Sequence, residues 1–375
     1  MKTRSGVAYA LACLAVPACG ATGDAPSRAE RATSAATSLE APPLPSIGEA
    51  GPSNEPEAER CGLPGGLAAL PGYSVRVWAT GTADFSHPDS LERDGNDIWV
   101  GYQNVTAKDG TDGKSSTVVE YNMHGRVERT FAVPGHCDGL RIDPATHIVW
   151  ATSNEDGNPG LVSIDPATGV ETQYTFAPTA HGGGFDDMGF VNGKMFIAAS
   201  NPTLDASGAN VFPAIDAVSF QGTNVVLTPA LLGNATAIDV TTGLPVTLNL
   251  VDPDSITITP SGDLMLVNQA GSELVFVSQA GLTSRTVTRL PVATQLDDTV
   301  WATAPEGELL VADGKTNTIY AVRTKFVPGT VYTETPDDSS IASMVGTVNL
   351  KTGVVYPQII GFGKATGLLF VPDRQ

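Results

Sequence analysis

From residue 73 onward, apolar positions come in runs of five to eight residues, and Gly, Asn, Asp and Pro separate the runs. The pattern predicts β-strands at 73–80, 97–102, 117–122, 148–153, 160–165, 194–199, 263–268, 273–278, 308–313 and 318–323. No long stretch carries the 3.6-residue periodicity of an amphipathic helix. The runs also recur as a unit. His87-Pro88-Asp89-Ser90-Leu91, His136-Cys137-Asp138-Gly139-Leu140, Phe185-Asp186-Asp187-Met188-Gly189, Asp252-Pro253-Asp254-Ser255-Ile256 and Leu296-Asp297-Asp298-Thr299-Val300 each set an Asp ahead of an apolar strand. A second strand follows each of them, ending in Asn104, Asn154, Asn201, Asn268 or Asp313. The openers at Asp89, Asp138 and Asp187 are 49 and 49 residues apart, and the next steps, to Asp254, Asp298 and Thr366, are 67, 44 and 68.

A repeated four-stranded unit with an apolar face on each side is satisfied by radial stacking, in which every blade buries its faces on its neighbours. Six openers predict an all-β, six-bladed β-propeller. The strand at 73–80 precedes the first opener and would close the ring by completing the last blade, whose inner strand is 367–372. The long steps imply extra hairpins at about 205–250 and 324–350, which either decorate blades or hide a seventh.

Composition agrees with this fold. The chain has 375 residues, of which 41% are hydrophobic and 16% charged, with 40 Gly and 27 Pro. That supplies a core and disfavours long helices. The formal charge of -19 excludes a nucleic-acid binder that works through basic patches, and equally a basic docking face for anionic lipid.

The first residues read as an address. A basic start at 1–4 leads into a small apolar run at 5–16, too short to span a bilayer as a helix. Val16-Pro17-Ala18-Cys19-Gly20 resembles the bacterial lipobox, so 1–18 is expected to be a signal peptide and Cys19 the lipidated residue of an exported, membrane-anchored protein. An ordinary cleaved signal is the alternative. Residues 19–60 lack large apolar side chains and read as a linker, leaving 61–375 as the folded domain. Cys61 and Cys137 would be either a disulfide or two separate thiols.

The chain resembles the NHL-like and SMP-30/gluconolactonase-like propellers. The residues that carry the likeness are the openers at 88–91 and 253–256 and the stretch GELLVADGKTNTIYAV at 307–322. The resemblance implies a divalent cation at the centre, held by a Glu from the first opener and Asn and Asp from later ones. Asp89 stands here where that Glu is expected, and Asp254 matches the later Asp that serves as ligand and base. It would imply a lactonase-type hydrolase or a lyase; the other reading is a module that binds a small molecule, a glycan or a protein at its channel mouth.

In a propeller the opener residues converge on one mouth of the channel. Asp89, Asp138, Asp187, Asp254 and Asp298 would meet there, with mutual repulsion offset by protonation, by water or by a cation such as Ca²⁺ or Mg²⁺. Three of the five histidines precede openers: His87, His136 and His181. Residues two apart on a strand share a face, so His87 with Asp89 and His136 with Asp138 would point inward, a donor set that suits Zn²⁺ or Mn²⁺. Asp254, Asp298 and His136 are the candidate catalytic groups. A turn-forming role for the repeated Asp stands beside these readings. The strand-ending Asn residues and the loop Asp109-Gly110-Thr111-Asp112-Gly113 read as turns rather than ligands. GxSxG, GxGxxG and P-loop signatures are absent from the sequence.

Overall fold

The computed structural model describes residues 63–337 and 341–373. The leader, Cys19, the linker and Cys61 lie outside the described residues. After a three-residue 3₁₀ turn, Pro64–Gly66, come β1 (Ala68–Ala69) and β2 (Ser74–Thr80). The first blade is β3 (Pro88–Asp94), β4 (Asp97–Tyr102), β5 (Ser115–Asn122) and β6 (Val127–Pro134), an antiparallel meander running from the axis outward. The second is β7 (Cys137–Ile142), β8 (Val149–Ser153), β9 (Gly160–Ile164) and β10 (Glu171–Thr175); the third is β11 (Phe185–Val191), β12 (Lys194–Ala199), β13 (Pro213–Gln221) and β14 (Asn224–Leu232). Asn192 and Gly193, with φ of 52° and 71°, form the two-residue turn between β11 and β12, where both positions need a positive φ.

A further hairpin, β15 (Thr236–Asp239) and β16 (Pro245–Thr247), adds to the outer edge of the fourth blade, β17 (Pro253–Ile258), β18 (Leu264–Asn268), β19 (Glu273–Ser278) and β20 (Thr286–Pro291). It accounts for the 67-residue step. The last two blades are interleaved in sequence. After β21 (Thr299–Trp301) the chain crosses to form β22 (Gly307–Asp313) and β23 (Thr318–Arg323) of the sixth blade. It then returns to the fifth for β24 (Val331–Thr335), β25 (Met344–Val348) and β26 (Val355–Ile360), and ends in β27 (Ala365–Pro372), the inner strand of the sixth. The stretch at 309–313 therefore pairs with the strand that carries Thr366, not with the one that follows Asp298. Nor is 324–350 an added hairpin: it supplies the second and third strands of the fifth blade.

The ring has six blades, and β2 closes it by pairing with β23 as the outer strand of the sixth. Neighbouring inner strands touch all the way round. Six buried apolar clusters sit at the six blade interfaces, for example Trp99, Phe131, Leu140 and Val162 between the first and second blades. A fully buried side chain of this size is worth about 1.5–3 kcal/mol, so each interface carries a large share of the fold's stability.

Candidate functional site

Each inner strand of the first, second, third, fourth and sixth blades gains one residue against its neighbour near its start. The breaks fall between Pro88 and Leu91, Cys137 and Leu140, Phe185 and Met188, Pro253 and Ile256, and Ala365 and Gly367. Such bulges re-aim side chains at barrel rims. The first residue inside each break is Asp89, Asp138, Asp186, Asp254 or Thr366, and all of them line a mouth cavity of about 280 Å³ together with Asp297. The register makes Asp186 the equivalent of the other openers and moves Asp187 one place deeper. Packing is close here: a Cβ on Gly139 would lie 2.6 Å from the Asp186 carbonyl oxygen and Asp187 Cα.

Side chains that end the second strands hold the openers from behind. Asn104 Oδ1 accepts from the Ser86 N–H (3.0 Å), Asn154 Oδ1 from His136 (2.9 Å) and Asn268 Oδ1 from Asp252 (3.0 Å). Asp313 accepts from Gly363 (2.8 Å) and Lys364 (2.9 Å). These are turn and tether contacts.

At the second blade the mouth gathers mixed donors. Ligand atoms of His136, Asp138 and Glu155 lie within 4.8 Å of one another. The His136 tautomer follows from its partners. Thr106 Oγ1 gives its one proton to the Gln103 carbonyl (2.6 Å), so toward His136 Nδ1 (2.8 Å) it accepts, and Nδ1 carries the hydrogen. Nε2 is left with a lone pair, buried and without a hydrogen-bond partner among the described residues. Burial also lowers the His136 pKa, favouring this neutral ring. Asp138 Oδ1 accepts from Gln103 Nε2 (2.8 Å), while its Oδ2 is buried and unpartnered. Glu155 pairs with the Lys108 ammonium. Burial pushes the Glu155 carboxyl up, but Lys108 outweighs it and holds Glu155 below the usual range.

Burial, with repulsion added to it, governs the ring of carboxyls. Burial raises Asp89, Asp138, Asp186 and Asp254 well above ordinary aspartate, and neighbouring carboxylates add to it: Asp297 for Asp89 and Asp254, Glu155 for Asp138, Asp254 for Asp186. Below them Arg141 forms a floor. Its Nη2 donates to Asp187 Oδ2 (2.5 Å) and to the Ile256 carbonyl (3.1 Å), and lies 3.9 Å from Asp298 Oδ1. Asp298 also accepts from the N–H groups of Thr299 (2.8 Å) and Leu368 (3.0 Å).

Of the residues expected to converge, Asp89, Asp138, Asp187, Asp254 and Asp298 all line this mouth, and His136 joins Asp138 in the cluster. His87 sits at a φ of 59°, outside β3, so the strand argument does not reach it; its Nδ1 bonds Ser86 Oγ (3.1 Å). His181 donates from Nε2 to the Gly184 carbonyl (2.9 Å) and packs edge-on against Phe185. In the loop at 109–113, Asp109 and Asp112 accept hydrogen bonds from nearby backbone. Cys137 is a buried free thiol beside the site. Sequence reasoning missed Glu155, Arg141, Lys108, Asp186 and Asp297. Two of them carried a signal: Glu155 follows the strand-ending Asn, where the first, third and fourth repeats have Val105, Pro202 and Gln269, and Arg141 is a charge on an innermost strand.

No protein-family profile and no curated protein matches this chain in sequence. Solved structures do match in backbone course. A protein of unknown function from Bacteroides caccae is 12% identical, with 76% of this chain and 87% of that one covered and a TM-score of 0.46. A candidate gluconolactonase is 10% identical, with 81% and 90% covered and a TM-score of 0.47. Virginiamycin B lyase from Staphylococcus aureus is 12% identical, with 70% and 95% covered and a TM-score of 0.40. Likeness at this level carries no argument about activity.

Proposed function

We propose that the protein binds a divalent cation at its channel mouth through His136 Nε2, Asp138 and Glu155, and uses it to hold a small oxygen-bearing ligand or partner group. The observation that carries this reading is the bare, buried Nε2 lone pair, its tautomer fixed by Thr106, on a ring that offers a ligand atom within 4.8 Å of those of two carboxylates. One imidazole with two carboxylates shifts the preference from Ca²⁺ and Mg²⁺ toward Mn²⁺ and Zn²⁺. Lys108 now covers Glu155; its side chain is 55% exposed, and a cation at Glu155 would displace its ammonium. A bound cation would offset the repulsion among the ring carboxyls and polarise a ligand oxygen.

A hydrolase or lyase reading rests on Asp186 and Asp254. These buried carboxyls, held above the usual range, would take up a proton beside a polarised group. Metal content of the purified full chain tests the main reading. One equivalent of Mn²⁺ or Zn²⁺ is expected, and it should be lost in folded His136→Ala and Asp138→Asn variants; no stoichiometric metal in the parent protein overturns it. The enzyme reading requires that Asp254→Asn keep the metal and lose at least about 100-fold in turnover of a lactone or ester substrate, the usual range for a general base. Export and lipid anchoring through Cys19 are proposed from the leader alone. Cys19→Ala should release the protein from membranes.

A further inference from the structure

The channel has a second end. Farther along the same six inner strands lies a cavity of about 400 Å³, within the size range of small-molecule sites. Its wall is apolar and includes Leu91, Ile142, Phe190, Ile258, Trp301 and Phe370. Arg141 and Asp298 line both this cavity and the acidic mouth, so one layer of side chains separates the two. Glu92 lines the far cavity alone.

The charge at this floor is unbalanced. Three carboxyls face one guanidinium: Arg141 lies 2.5 Å from Asp187, 3.9 Å from Asp298 and 3.7 Å from Glu92. Asp187 and Asp298 also accept from backbone N–H groups, Asp187 from Ile256 (2.8 Å) and Asp298 from Thr299 and Leu368, which partly offsets the burial that raises both carboxyls. Three carboxyls share this one guanidinium, and Glu92, which lines the far cavity and not the acidic mouth, is the acceptor that a ligand would meet at the edge of an apolar pocket.

We propose that this far mouth is a binding site for a small apolar amine, with its hydrocarbon against the Leu91, Phe190 and Trp301 wall and its ammonium on Glu92. A carboxylate ligand would face a net negative floor. A neutral alcohol would add no positive charge to a floor where Glu92 shares Arg141 with two other carboxyls. The site does not depend on the cation reading of the other mouth. Binding also has a proton signature: burial, against the pull of Arg141 and with repulsion from Asp187 and Asp298, pushes the Glu92 carboxyl up to about 7, and an ammonium would hold it ionised.

Calorimetric titration of the full chain at pH 8 with hexylamine, hexanol and hexanoate tests the assignment. Hexylamine should bind at least tenfold more tightly than hexanol, and hexanoate should not bind. Glu92→Gln, checked for an unchanged cooperative melt, should lose at least tenfold for the amine and nothing for the alcohol. Hexylamine should also change the tryptophan fluorescence of the parent protein, and Trp301→Phe should remove that change, which places the ligand against this wall. No amine binding in the millimolar range, equal affinity for amine and alcohol, or amine binding untouched by Glu92→Gln would each overturn the proposal.

Discussion

At the scale of single residues, the site depends on a hydroxyl that is not itself a proposed ligand but touches one. Thr106 spends its proton on the Gln103 carbonyl and thereby sets which nitrogen of His136 is bare. A ligating imidazole depends on such a partner, whose loss typically costs 10–100-fold in metal affinity. Thr106→Val keeps the side-chain shape and removes the acceptor. We expect Mn²⁺ or Zn²⁺ affinity to fall by roughly that factor, with a loss of about 1–3 kcal/mol of stability in the presence of chelator from the orphaned Nδ1–H. Unchanged affinity would mean that His136 is not a ligand through Nε2. Glu155 shows why such a residue is hard to read in advance. It stands at a loop position that the other repeats fill with Val105, Pro202 or Gln269, so periodicity marks it as a departure without saying where it points. Only the fold brings it beside residues 17 and 19 positions earlier in the chain.

At the scale of elements, the repeated device is a bulged inner strand held by the side chain that ends the second strand. Asn154 combines both needs of that corner: a φ of 66° and an Oδ1 that accepts the His136 N–H. Asn154→Gly tolerates the backbone angle and deletes the tether, along with the Nδ2 bond to the Asn158 carbonyl (2.9 Å). The orphaned N–H predicts a loss of about 1–3 kcal/mol in chemical denaturation, with metal affinity falling in parallel because His136 is no longer held in place. A stability loss with metal binding intact would separate the tether from the site. The six inner strands were legible in the sequence because their openers recur, and so was ring closure by β2, because an unpaired strand preceded the first opener. The exchange of strands between the fifth and sixth blades was not. The stretch at 307–322 follows Asp298 directly and has the pattern of a next-strand hairpin, and local pattern does not encode which sheet edge a hairpin joins. The one-residue shift from Asp187 to Asp186 had a similar cause. Two adjacent aspartates fit the opener equally well, and a bulge, which has no period, decides between them.

At the scale of the whole molecule, six blades converge on one axis and so concentrate the charge of an acidic chain where water is scarce. Asp89, Asp138, Asp186, Asp254 and Glu334 are all pushed well above the ordinary carboxylate range by burial and by one another. The consequence for stability has a definite sign. A carboxyl whose pKa is higher in the folded state binds more protons folded than unfolded, so its contribution is present below the unfolded value of about 4 and is lost as pH rises through the folded value. Each such proton amounts to about 1.4 kcal/mol per pH unit across that window. Aspartates with the opposite shift, Asp109, Asp112, Asp165, Asp205 and Asp239, act only as pH falls below about 4 and do not interfere above it. His136 and His181, lowered by burial, act in the opposite sense only up to about pH 6.5 and are two against five, so in chelator the melting temperature should fall from pH 5 to pH 8, most clearly above pH 6.5. A cation that binds the ionised ring should reverse this where the ring is ionised: at 100 times its dissociation constant it adds about 2.7 kcal/mol, in full at pH 8 and far less at pH 5, where protons compete for the same oxygens. Scanning calorimetry at the two pH values, with chelator and with Mn²⁺ or Zn²⁺, reads both effects. A melting temperature that climbs with pH in chelator would show that the mouth is already balanced by its own lysines and arginine, and the electrostatic case for a bound cation would fall with it.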